Sequence, residues 1–338
     1  MSFQVLDFNS NEGQEEATSG SRPFIINQGG KKRVMVRNSR GLVVNSLLTD
    51  REWKELDTAV IEAAKPHVRA VAGLMSRGLR KQLRDAGTLT SHWNQASELT
   101  PANVSMTGAS RGEQDRLETQ QSGVPVPVIF KEFEIPIRQL KASRRSGEGI
   151  DVTTAVAAAE VVGDGIEGML FTGSNVSLNN TTIYGFLNHP NRITDSAVNF
   201  GGGSWSVVTN IKATILGMLA AAAAQFQYGP FGIYLNPVDY LNCLEDYPDG
   251  KDDTPLQRIL DLPDIEFVEP SYKVPLGQLS MVRLAASVVD IAEAEPLMVK
   301  EWVSGDGAIA HFKVSIIAVP RVKADINGRA GIIHATGI

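Results

Sequence analysis

Apolar positions recur at two periods along the chain, and each period predicts its own kind of element. In "LTDREWKELDTAVIEAAK" (48–65), Trp53, Leu56, Val60 and Ala64 form a helical stripe, and Thr49 with Glu52 has capping-box spacing. Pro66 interrupts this helix, after which Val68, Val71, Leu74 and Met75 carry the period on, predicting helix to near Gly87. Residues 96–123 hold very few large apolar side chains over a length well beyond an ordinary loop. They close into "VPVPVIFKEFEIPIRQL" (124–140), where Ile129, Phe133, Ile135 and Ile137 alternate onto one strand face. A polar excursion closed by a strand predicts a hairpin that buries little against its own chain and needs a neighbour's surface.

Further on, Val152, Ala155, Val156, Ala159, Val162, Ile166, Met169 and Leu170 predict a helix over 151–172, with Asp151 as its N-cap. A second helix is expected over 208–227, closed by Gly229-Pro230, then a strand, an Asn236 cap with Pro237 at N1, and a short helix. "TPLQRIL" and "IEFVEP" add a helix and a strand, and the remainder alternates as strands at 280–291, 296–302, 308–318 and 331–334. The predicted class is α+β. Residues 1–47 are polar and lack a sustained period, which predicts an extended arm that orders against a partner.

Inside the 151–172 helix lies Gly163-Asp164-Gly165-Ile166-Glu167-Gly168, which matches the G-x-G-x-x-G of dinucleotide-binding enzymes. That fingerprint needs a strand before it, a helix starting at it, and an acidic residue about 20 positions on. None of these holds, since no Asp or Glu occurs between Glu167 and Asp195. The bland reading, glycines that let another backbone approach, is preferred over a nucleotide-binding enzyme.

The 338 residues are 43% hydrophobic, ample for a core. With 32 basic and 38 acidic residues the chain is mildly acidic, which argues against nucleic-acid affinity of the whole surface and leaves local patches open. Such a patch is "KKRVMVRNSR" (31–40), with Lys31, Lys32, Arg33, Arg37 and Arg40. The single cysteine, Cys243, excludes an internal disulfide. No signal-peptide pattern opens the chain, and the longest apolar run, 213–224, is too short for a bilayer, so no membrane role is expected. The five histidines show no metal-ligand spacing, and neither a nucleophile elbow nor a Walker loop occurs. His67 on a helix and His311 in a strand read as structural, and Glu132 with Glu134 as a charged strand face. Catalytic, cofactor and metal sites are all expected to be absent.

In this order the segments resemble the HK97-fold shell proteins, the major capsid proteins of tailed bacteriophages and the related encapsulin nanocompartments. The resemblance is carried by "LTDREWKELDTAVIEAAKPHVRAVAG", "VPVIFKEFEIPIRQL", "IDVTTAVAAAEVVGDGIEGMLFTG", "TIYGFLNHPNR", "PLMVKEW", "AIAHFKVSIIAVPRVKA" and "RAGIIHATGI". It implies an N-terminal arm (1–47), a first helical segment of a peripheral domain (48–95) and an extended loop hairpin (96–140). A peripheral domain with its spine helix (141–192), an axial domain (193–295) and closing strands of the peripheral domain (296–338) complete it. The implied function is self-assembly through hexamers and pentamers into an icosahedral head enclosing double-stranded DNA, in the host cytoplasm and then the virion. Scaffold, portal and decoration proteins are the implied partners. Arg111, Arg116, Ile129 and Phe133 of the extended loop are expected to meet other subunits. Lys31, Lys32, Arg33, Arg37 and Arg40 are expected to meet DNA or the inner surface, with Arg69, Arg77, Arg80, Lys81 and Arg84 nearby. The arm ahead of the first helix favours a capsid over an encapsulin. Some relatives cross-link a loop lysine to an asparagine, but no lysine occurs between Lys81 and Lys131, so a non-covalent shell is expected.

Overall fold

The computed structural model describes residues 24–28, 31–37, 43–45, 48–96, 102, 104, 106–107, 116–146, 151–178, 181–246, 253–303 and 308–338. They divide into two compact units, one made of residues 1–69, 128–167 and 294–318, the other of 70–127, 168–293 and 319–338.

In the first unit, β1 (Phe24–Gln28), β2 (Lys31–Arg37) and β3 (Val43–Asn45) form an antiparallel meander where the sequence predicted only an extended arm. Helix α1 (Asp50–Ala64) starts at the predicted capping box: the Glu52 N–H donates to Thr49 Oγ1, and Glu52 accepts from the Thr49 N–H. Its stripe is buried, with Trp53, Leu56, Val60 and Ala64 at 5% exposure or less. Pro66 converts the next turn to a 3₁₀ helix, Lys65–Val68.

Helix α2 (Arg69–Ser76), in the second unit from Ala70 on, stops eleven positions short of Gly87. The reason is Gly78 at φ +81°: the Leu79 and Gly78 N–H groups fold back onto the Leu74 and Met75 carbonyls, a Schellman ending. The chain then forms β4 (Arg80–Gln82), β5 (Thr90–Ala96) and β6 (Thr119–Pro125).

Strand β7 (Val128–Pro136) returns to the first unit, and helix α3 (Ile137–Ser146) follows where the sequence predicted continued strand. Helix α4 (Thr153–Thr172) is the predicted long helix, with Asp151 accepting the Thr153 N–H at 3.0 Å. β8 (Ser174–Leu178), β9 (Thr181–Ile183), β10 (Ile193–Ser196), α5 (Val208–Ala224), β11 (Phe231–Leu235), α6 (Pro237–Asn242), α7 (Pro255–Leu260), β12 (Ile265–Pro270) and β13 (Gln278–Arg283) come next. β14 (Val289–Val303), β15 (Ile309–Val322) and β16 (Ile332–Thr336) end the chain. β14 runs unbroken through Pro296, so the predicted strands 280–291 and 296–302 are redrawn as β13 and one long β14.

The core of the first unit is built where β7 pairs antiparallel with β15, Ile309 opposite Pro136 through Ile317 opposite Val128. Phe133 stacks on Phe312 at 5.2 Å, and Trp53 meets Phe312 edge-on at 6.2 Å. On the charged face, Glu132 and Glu134 lie opposite Lys313 and His311 of their own chain, the sheet's ordinary cross-strand pairing.

The second unit is organised by a five-stranded sheet in the order β10-β16-β13-β11-β12. α5 covers it with Ile211, Ile215, Met218 and Ala222, spaced to form one stripe and fully buried with Ile233, Leu279 and Met281. Gly217 lets α5 close on the chain beside it: an added Cβ would stand 1.7 Å from the Phe200 carbonyl oxygen. Phe171, Phe186, Tyr234 and Phe267 make a separate aromatic cluster, with ring centroids 5.3–6.0 Å apart. β16, expected among the closing strands of the peripheral domain, instead pairs between β10 and β13.

α5 ends in the same Schellman pattern as α2, the Gln227 and Phe226 N–H groups bonding the Ala222 and Ala223 carbonyls at 3.0 Å. Here a phenylalanine holds the left-handed position, at φ +58°, and its ring lies under the Arg329 guanidinium at 5.4 Å.

Candidate assembly interface

β5 and β6 form a two-stranded antiparallel ribbon, from Thr90 opposite Pro125 to Ala96 opposite Thr119. The inbound strand of the loop is therefore β6 and not 124–140, because the chain breaks at Val126-Pro127 before β7 begins. The ribbon is fastened within the second unit by a buried ionic cluster. Arg321 Nε donates to Asp290 Oδ1 at 2.6 Å, and its Nη2 pairs with Oδ2 of the same carboxylate. Lys323 Nζ reaches Asp290 Oδ2 at 2.7 Å, while Arg321 Nη1 donates to the β5 hydroxyl of Ser91 at 3.0 Å. Burial lowers the Lys323 pKa, and the hydrogen bond to Asp290 opposes that shift. Trp93 lies 5.7 Å from the guanidinium, and Gln95 donates to the Ala324 carbonyl at 2.6 Å.

Beyond the ribbon, Val104 and Met106 are fully exposed, at 99% and 103%, and Leu117 is half-exposed. Apolar side chains this bare gain from burial against another surface, at roughly 25 cal/mol per Å² covered. Of the residues expected to meet neighbours, Arg111 lies outside the described residues, and Arg116 is exposed just before β6. Ile129 is half-buried and Phe133 buried. Both sit in β7, paired with β15, and Phe133 is 8% exposed beneath Phe312, so its ring belongs to the chain's own core.

A second apolar surface lies at the far end of β11. Val238, Leu241 and Leu244, along and just beyond α6, are exposed, as are Tyr272 and Leu276 on the loop after β12. The Asp239 carboxylate ties that loop down by accepting the Gly277 N–H at 2.8 Å.

A cavity of about 500 Å³ opens beside the ribbon, lined by Trp93, Gln121, Tyr184, His189, Asn191 and Ile326 among others. His189 is buried, accepts the Asn191 N–H, and has its pKa lowered to about 4 by burial and by Arg192. His334 is held down to about 4 for the same two reasons, with Arg192 Nε donating to its Nδ1 at 3.3 Å. Two imidazoles kept neutral around one arginine make a packed polar core. The Thr194 hydroxyl also lies 3.5 Å from His334 Nδ1, the nitrogen that already accepts from Arg192.

The glycine fingerprint lies in mid-α4, where backbone N–H groups are already spent on the helix. A Cβ on Gly163 would sit 3.1 Å from His67 Cβ, and one on Gly165 3.0 Å from Ile129 Cγ2, so close packing accounts for these two. Gly168 has open space around it. His67 itself bonds Asp164 at 3.0 Å, a structural role. Among the described residues no cluster of His, Cys, Asp or Glu could hold a metal ion, and no helix is long and apolar enough to cross a membrane.

The basic residues divide as well. Lys31, Lys32, Arg33 and Arg37 fall in β2, of which only the backbone is described, and Arg40 lies outside the described residues. Arg77 and Arg80, expected near DNA, are committed elsewhere: Arg77 to Glu266, Glu269 and the Phe267 ring, Arg80 to Glu293. Sequence reasoning missed α3, which carries Arg138, Lys141, Arg144 and Arg145. Its signal was present in "IPIRQLKASRRS", where the period changes from two to about 3.6 after Pro136.

Residues 42–335 match a protein family described as a family of unknown function, DUF6260. The chain belongs to this family. Its fold is that of several solved particle subunits. It is similar to the virus-like particle from Pyrococcus furiosus at 15% identity and TM-score 0.59, covering 84% of this chain and 98% of that one. Against the capsid of Myoviridae phage XM1 the identity is 14% and the TM-score 0.59, covering 78% and 91%. Against the capsid of a native gene transfer agent particle the values are 13% and 0.54, covering 79% and 90%. The predicted α+β, HK97-like capsid fold is therefore the fold of this member of the family.

Proposed function

We propose that the chain is the major subunit of an icosahedral shell, a phage-type head assembled from hexamers and pentamers around double-stranded DNA. One observation carries this reading: the fold spans nearly the whole of subunits that others use to build closed particles, 98% of one and 91% of another. The exposed apolar residues Val104, Met106, Leu241 and Tyr272 support it, since repeated contacts between copies would remove them from water. Function is then closure. Each copy offers two different surfaces, contacts repeat head to tail around rings, and many modest interfaces add up through multivalency. No catalytic step is assigned. Scaffold, portal and decoration proteins belong to the same reading, as do assembly in the host cytoplasm and residence in the virion.

The test is negative-stain microscopy of the expressed chain, with and without a co-expressed scaffold, followed by nuclease-protected DNA measurement on any particles. Closed shells are the expected result. A monodisperse monomer at high concentration under every condition would refute the reading, and shells that protect protein cargo but no DNA would turn it toward a nanocompartment.

A further inference from the structure

Helix α3 carries four basic side chains and no acidic one in ten residues, within a chain of formal net charge −6. At about 100° per residue, Leu140 and Arg144 fall on one side and Arg138, Lys141 and Arg145 on the other, in a stripe roughly 60° wide. The first side is fastened down. Leu140 is 3% exposed, and Arg144 grips both oxygens of Glu52, at 2.8 and 2.7 Å. Burial pushes the Glu52 carboxyl up, but the hydrogen bonds from Arg144 and from the Thr49 cap of α1 together outweigh it and hold its pKa below the ordinary value. The helix therefore cannot roll without breaking a bidentate pair.

The other side has no carboxylate among the described residues to answer it. Arg138, Lys141 and Arg145 are exposed and have no ion-pair partner among the described residues. Arg77, Arg80, Arg258, Arg321 and Arg329 each have a carboxylate. Arg138 and Arg145 are seven residues apart, about 10 Å along the axis, so three cations share a short, straight, outward-facing line. A polyanion with closely and regularly spaced charge answers such a line, and duplex DNA presents one phosphate charge per ~1.7 Å of its axis. A rigid helix face with three long flexible cations suits contact with the phosphate backbone, which carries no sequence information.

We propose that the Arg138, Lys141 and Arg145 face of α3 binds the phosphodiester backbone of duplex DNA enclosed by the shell. The proposal rests on the shell reading above. Beside the expected Lys31, Lys32, Arg33, Arg37 and Arg40 it adds three α3 cations, whereas Arg77 and Arg80, expected nearby, are occupied by carboxylates.

The experiment compares full-length wild type with R138Q/K141Q/R145Q for binding to a 30-base-pair duplex of arbitrary sequence, by fluorescence anisotropy across a salt series. Three lost phosphate contacts should flatten the slope of log K against log salt by about 2.7, and weaken binding by up to roughly 500-fold at 0.1 M salt. R138K/R145K, which keeps the charge, should stay close to wild type, and thermal unfolding should be unchanged in both. Should the triple variant fail to fold, K141Q alone carries the test, with a slope change of about 0.9. An unchanged slope overturns the proposal. Loss of particle assembly with the slope unchanged also overturns it, and assigns the face to contact between copies. Absence of particles from the wild type sinks the shell reading instead, and the salt slope is still measured on whatever oligomer the chain forms.

Discussion

Removing one carboxylate should unfasten the ribbon. Asp290 is 4% exposed and serves two cations that are themselves buried, Arg321 at 1% and Lys323 at 9%. In D290N the negative charge and one of the two acceptor oxygens are lost, while Arg321 keeps Ser91 and Lys323 keeps the Ala286 carbonyl. Breaking a buried pair by deleting one partner costs about 3–5 kcal/mol, mostly because the surviving charge is stranded. For a folding unit of this size that corresponds to a fall in Tm of roughly 6–20 °C. The two stranded cations differ in their escape: arginine stays charged, whereas a buried lysine can release its proton. Burial already lowers the folded-state pKa of Lys323, and loss of Asp290 should lower it further. Between that lowered value and the ordinary lysine pKa the unfolded chain binds more protons, so stability rises with pH in that window. D290N should therefore recover part of its loss in mildly alkaline buffer, where wild type changes less. The assay is chemical and thermal unfolding of unassembled subunits at several pH values, with hydrogen exchange of the β5 amides as a local readout. A loss below about 1 kcal/mol, or equal pH slopes in the two proteins, would show that water reaches the cluster and refute the reasoning.

Acid should weaken the second unit through His189 and His334. Both pKa values fall to about 4 on folding, so the unfolded chain takes up protons first, and stability declines as pH drops from about 6.5 to 4. The decline is at most about 3 kcal/mol per histidine, and H189Q/H334Q should flatten it in a pH series of Tm values. At the end of α5, F226G should be more stable than F226A by about 1 kcal/mol, since both lose the Arg329 contact and only glycine relieves the positive φ; equal denaturation midpoints would contradict this. G217A should cost about 3 kcal/mol or more because its Cβ would meet the Phe200 carbonyl, a loss readable as a lower urea midpoint. Assembled particles boiled in denaturant should run as a single subunit band, and a ladder of linked subunits would reveal a cross-link that the missing loop lysine argues against.

Much of the candidate interface was out of reach of the sequence for one reason: a residue's apolar or charged character does not say which partner it meets. Phe133 alternates correctly on its strand, yet whether its ring meets a neighbour or Phe312 depends on which strand pairs with β7. Arg77 was expected near DNA, and only folding brings Glu266 to it from far along the chain, as it brings Asp290 to Arg321. The Schellman endings make the same point within one motif. Gly78 could have marked the end of α2, whereas Phe226 performs the same turn without any glycine to signal it.

What the amino-acid order settled by itself is local. It set the capping box and buried stripe of α1, the interruption at Pro66, the long α4 with its glycines inside it, the stripe of α5 and the absence of a disulfide partner for Cys243. These depend on spacing within a turn or two of chain, where backbone geometry is already decided by neighbouring residues. Only the tertiary structure decided that β16 pairs between β10 and β13, that β14 runs through Pro296, and that α3 turns three cations outward while Arg144 holds it to Glu52. Pairing, burial and charge satisfaction are energies of contact between distant segments, and they take a value only once the chain has brought those segments together.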